Sequence, residues 1–161
     1  MTGIHLSAQE LSLTTQDGNT YTGIIKKSFE DAVYLQNGDG VTMKFQFENL
    51  QADSKSQAES YLSENPARAD VFAKVDVAPV PDQTQQPDIP RELKRESAKI
   101  SVWIVVGEDG SVLLSEIHKS NNDKLDQVSL DCVNSWTFKP GEAGGSPVKC
   151  EMIIPFRYRG R

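Results

Sequence analysis

The stretch Val148-Lys149-Cys150-Glu151-Met152-Ile153-Ile154-Pro155-Phe156-Arg157-Tyr158 decides the C-terminal fold. Val148, Cys150, Met152, Ile154, Phe156 and Tyr158 recur at a period of two, the mark of a strand with one buried face. Lys149, Glu151, Ile153 and Arg157 then face away. Pro155 has no backbone N–H, which a central strand must donate, so the strand belongs at a sheet edge. Upstream, Gly144-Gly145 and Pro140-Gly141 mark a loop. Leu125, Val128, Ser129, Cys132, Val133 and Trp136 recur at three and four, which predicts an amphipathic helix capped by Asp123. Val112 to Ile117 and Ile100 to Val106 read as two strands joined at Glu108-Asp109-Gly110. Arg91 to Ala98 reads as a short charged helix. The order from residue 91 is α-β-β-α-β, a three-stranded antiparallel sheet packed on helices.

Ahead of it runs Ala78-Pro79-Val80-Pro81-Asp82-Gln83-Thr84-Gln85-Gln86-Pro87-Asp88-Ile89-Pro90. Four prolines among polar residues favour an extended segment, and residues 76–90 are expected to be a protease-sensitive linker. Residues 8–50 carry short alternating runs, with hairpin signals at Asp17-Gly18 and Asn37-Gly38-Asp39-Gly40. That pattern suits a small SH3-like or Sm-like β-barrel. Residues 51–75 form a helical extension. Its apolar positions are Ala58, Tyr61 and Leu62, with Asp53 or Ser54 as cap, and Val71, Phe72 and Val75 are expected to dock on the barrel. The fold class is α+β, with two modules.

The chain has 161 residues, 23 acidic against 17 basic, and a net charge of −6. That balance argues against a nucleic-acid partner, which calls for a basic surface. No apolar run reaches membrane-spanning length. Met1 to Glu10 lacks the basic and apolar regions of a signal peptide, so the chain is read as cytoplasmic or as starting downstream of a targeting segment. Cys132, Cys150, His5 and His118 are too few and too scattered for a metal centre. No G-x-S-x-G and no glycine-rich phosphate loop occurs, so no enzyme and no cofactor is expected.

The C-terminal residues resemble the TonB C-terminal family. Val106-Gly107-Glu108-Asp109-Gly110-Ser111-Val112 is similar to that family's first hairpin, and Cys132-Val133-Asn134-Ser135-Trp136-Thr137-Phe138-Lys139-Pro140 to its helix exit. Gly145-Ser146-Pro147-Val148 and Pro155-Phe156-Arg157-Tyr158 resemble its final strand. Departures fall at Ile89, Ala98, Cys132 and Ser120-Asn121-Asn122. The similarity covers about residues 86–161. It implies a periplasmic, non-enzymatic binding module that takes an extended segment of an outer-membrane transporter as an added strand, for energy-coupled transport. Inner-membrane motor proteins and a second copy of the chain are the further partners implied. The alternative is an envelope adaptor that docks through the same fold without transmitting force.

The partner-binding residues expected are Val148, Lys149, Cys150, Glu151, Met152, Ile153, Ile154, Pro155 and Phe156, because an exposed sheet edge offers unpaired backbone groups to a second chain. Trp103 sits between Val102 and Ile104 and points away from the helix. It is a candidate exposed anchor, or it packs against the barrel or linker. Trp136, Phe138 and Pro140 close the helix and fill the core. Arg157, Arg159 and Arg161 form a basic stripe, either a solvated edge or a patch for an acidic partner. Cys132 and Cys150 both fall on apolar faces and are expected to be adjacent free thiols, with a disulfide as the alternative in an oxidising compartment.

Overall fold

The computed structural model describes residues 9–160 and divides the chain into two units, with the boundary between Asp70 and Val71. The readings made on Met1 to Ala8, including His5 and the first residue of the N-terminal barrel, lie outside the described residues, as does Arg161.

In the N-terminal unit β1 (Glu10–Thr14), β2 (Thr20–Phe29), β3 (Ala32–Gln36) and β4 (Thr42–Gln46) pair in chain order as an antiparallel meander. Gly18 and Gly40 take φ of +86° and +80° in the hairpin turns, a conformation that costs glycine little. The barrel expected here does not close: the sheet is open, with β1 and β4 as its edges. The reason is α1 (Ala52–Glu64), which covers one face as a second layer. Its Ala58, Tyr61 and Leu62 join Leu13, Ile25, Val33, Leu35 and Leu50 in one core. Neither Asp53 nor Ser54 caps this helix. Ser54 lies inside the first turn, buried, and its hydroxyl accepts the Thr14 N–H at 2.8 Å, tying helix to strand.

The C-terminal unit contains β5 (Val80–Gln83), β6 (Ala98–Val106), β7 (Val112–Ser120), α2 (Asp126–Asn134), β8 (Thr137–Lys139), β9 (Gly141–Ala143), β10 (Ser146–Val148) and β11 (Cys150–Tyr158). The main sheet runs β11-β6-β7, antiparallel throughout. One face presents Ile100, Val102, Ile104, Val106, Ile154 and Phe156 to Leu125, Cys132 and Val133 at and within α2. The helix expected over Arg91 to Ala98 shrinks to a 3-10 turn at Arg91–Leu93, because Ala98 already pairs with Tyr158 as the first residue of β6. Asn122, rather than Asp123, caps the turn ahead of α2, its side chain accepting the Lys124 N–H.

The expected linker is instead tied into this unit. Val80 and Pro81 of β5 pair with Lys139 and Phe138 of β8, with a register shift beyond Pro81. Val77 and Glu142 exchange backbone hydrogen bonds, and Gly144 donates to the Asp76 carboxylate at 2.8 Å. The prolines forbid helix, but a two-stranded ribbon with an irregular register tolerates them. Val71, Phe72 and Val75, expected to dock on the barrel, pack within the C-terminal unit.

Two contacts fix the details of this core. Gly110 has φ +82°, and a Cβ there would stand 1.8 Å from the Phe138 carbonyl oxygen, whose own N–H donates to the Gly110 carbonyl. Ser129, fully buried, gives its proton to the Leu125 carbonyl at 3.0 Å, so the Tyr158 hydroxyl at 2.8 Å must be the donor to Ser129. Burial raises the Tyr158 pKa, which keeps that proton in place. Both tryptophans, Trp103 and Trp136, lie in this unit, so their fluorescence follows its unfolding alone. In urea titrations read this way, Gly110→Ala is expected to lose roughly 2–4 kcal/mol through strain and clash. Tyr158→Phe is expected to lose about 1 kcal/mol, the net worth of one buried hydrogen bond.

Candidate partner-binding edge

β11 is the outer strand of its sheet, and its backbone alternation decides which groups are available. The Glu151 N–H donates to the Phe72 carbonyl at 3.0 Å, and the Phe72 N–H donates to the Lys149 carbonyl at 2.9 Å. Phe72 lies on the side away from β6, so residues 149, 151, 153, 155 and 157 all turn their backbone groups outward. Their even-numbered neighbours bond to β6 in an unbroken register from Cys150↔Val106 to Tyr158↔Ala98.

The expected site of Val148 to Phe156 therefore separates into parts. Val148 belongs to β10 and pairs with Gly141. Lys149 and Glu151 are engaged by Phe72. Cys150, Met152, Ile154 and Phe156 bond to β6 and turn their side chains to the core side, where Met152 is only partly buried. The open edge runs from Ile153 to Arg157. Pro155 falls on an outward position, where its missing N–H costs the β11–β6 pairing nothing.

Beside this edge lies a cleft of about 880 Å³. Pro155 to Gly160 form one wall, and the extended segment Thr84 to Ile89 lines the cleft with them. Trp136 also lines it, half-buried, its ring tilted 45° against Phe156 with centroids 5.8 Å apart. The Gln85 carbonyl accepts from the Trp136 indole N–H at 3.1 Å and from the Cys132 thiol at 3.2 Å, which moors the segment to α2. In the sequence Trp136 reads as core and Gln85 as linker. The helical spacing around Trp136 does not distinguish a core aromatic from one at the rim.

Trp103 does lie on the sheet face opposite α2, but it is not an exposed anchor: it is 7% exposed. Val71, Val105 and Leu114 surround it, and its indole N–H donates to Glu151 Oε2 at 2.7 Å. Residues read as an extension of the meander provide that cover. Both cysteines are free and buried. Burial raises the pKa of each thiol, which opposes nucleophilic chemistry. Among the described residues no cluster of three or more His, Cys, Asp or Glu could hold a metal ion.

Residues 86–159 match the family model described as the Gram-negative bacterial TonB protein C-terminal. The solution NMR structure of the Pseudomonas aeruginosa TonB C-terminal domain is similar at 19% identity, covering 56% of this chain and 96% of that chain, with a TM-score of 0.42. No curated protein matches the chain.

The thiol geometry has a direct consequence. Cys132 points at Gln85, while Cys150 lies against Gly141, whose added Cβ would meet its sulfur at 2.6 Å. Quantitative labelling of non-reduced protein is expected to find two reactive thiols after unfolding and a much slower reaction before it.

Proposed function

We propose that the C-terminal unit, of TonB C-terminal type over residues 86–159, binds an extended segment of an outer-membrane transporter as an added strand along β11. It works in the periplasm, by binding rather than by chemistry, as a coupling element of energised transport. The observation that carries this reading is the outward run Ile153 to Arg157, beyond the stretch engaged by Phe72, with Pro155 to Arg157 lining a cleft. An added strand draws affinity from main-chain hydrogen bonds, and a preformed, rigidly registered edge lowers the ordering cost of making them.

Titration of isotope-labelled protein with an extended peptide from a transporter tests the reading by NMR. Amide shifts are expected to centre on Ile153 to Arg157. Ile153→Pro removes an outward donor while sparing every bond to β6, and is expected to weaken binding about tenfold or more. Lys149→Ala, whose backbone partner is Phe72, is expected to change it less than about twofold. Shifts confined to the meander, with β11 silent in a folded protein, would refute the proposal.

A further inference from the structure

We infer that the cleft beside β11 selects a segment of alternating character, with acidic side chains on one face and apolar ones on the other. The inference rests on the strand-addition reading above and specifies its partner.

The first observation is electrostatic. Lys94, Arg157 and Arg159 line the cleft, all exposed, and Asp88 is the one carboxylate among its described lining residues. Among the described residues, Lys94, Arg157 and Arg159 take no part in the Lys55–Glu59 or Lys124–Glu96 ion pairs. The whole chain carries a net charge of −6, so unpaired cations gathered here run against its average. Charges arranged in this way favour complementary partners and speed their encounter more than they add raw affinity.

The second observation is geometric. Arg157 is one of the outward-bonding residues of β11, and its side chain lies on the face away from the core. A residue directly opposite it on an added strand would hold its Cβ about 4.5–5.5 Å away on that same face, where opposite charges attract. Arg159 continues the row, two residues on. Neighbouring residues of the added strand would point to the other face, toward Trp136 at the rim of the core and Phe156, the ring it packs against. Apolar side chains fit there. One strand therefore meets a basic row and an aromatic rim in alternation.

Fluorescence anisotropy with three labelled peptides of roughly ten residues provides the test, a length that spans the open edge. They alternate Val with Glu, with Gln, or with Lys. At low salt the Glu peptide is expected to bind about tenfold tighter than the Gln peptide, and the Lys peptide weaker still. That preference is expected to collapse in the Arg157→Gln/Arg159→Gln double variant, and at about 0.5 M salt, where screening is short-ranged. Amide shifts at Ile153 and Arg157 locate the complex, and unchanged spectra elsewhere establish that the double variant is folded. Equal binding of the Glu and Gln peptides at β11 would overturn the selectivity and leave strand addition standing. Binding of none of the peptides, or shifts away from β11, would overturn both. A Glu preference that persists undiminished in the folded double variant would overturn the assignment to these arginines.

Discussion

The unbroken antiparallel pairing of β11 with β6 is the constraint on which the C-terminal unit depends. Nine consecutive pairs, Cys150↔Val106 to Tyr158↔Ala98, contain no bulge, whereas the β6–β7 pairing shifts register twice. In a strand a one-residue slip exchanges the two faces entirely. Here it would expose Ile154, Phe156 and Tyr158 and bury Arg157. β6 cannot relax to meet such a slip, because from Val102 to Val106 it is buried on both faces. The register thus fixes the core. It also fixes which backbone groups of β11 point outward, so stability and the geometry of the edge share one origin.

Much of this was legible because period-two patterning is a local signal. The β6 and β7 hairpin, the α2 pattern, the row entering the core from β11 and the edge position implied by Pro155 all follow from neighbouring residues. Features that required distant partners were not legible. Nothing local in Val80-Pro81 points to pairing with Phe138 and Lys139, and proline content alone favours an open linker. Phe72 reads as the tail of a helical extension until its carbonyl is found on Glu151. Alternation puts Trp103 on the face opposite α2, but its cover comes from Val71, 32 residues earlier. In the meander, the strand pattern was sound and closure was not. Closure depends on what covers the sheet, and α1 provides that cover.

The candidate site shows the same division. The strand and its edge character came from alternation and one proline, whereas the extent of usable edge came from the tertiary contact with Phe72. Trp136 changed role for a related reason. Its spacing marks it as helix-exit core, yet the end of α2 lies at the rim, so the ring both packs on Phe156 and lines the cleft.

An open strand edge is also a hazard, since it invites pairing with any unpaired strand. Three features limit that here without closing the edge. Phe72 occupies one end, Pro155 interrupts the donor row in the middle, and Arg157 and Arg159 charge the other end. Antiparallel pairing of two copies centred on Pro155 would set proline against proline and Arg157 against Ile153. The central hydrogen bonds would be lost, and Arg159 would fall opposite Glu151, whose outward N–H is already given to the Phe72 carbonyl. A foreign strand is free to place its own residues in the register this edge imposes. The features that discourage self-pairing therefore leave the outward groups of Ile153 to Arg157 open to an extended segment of another sequence.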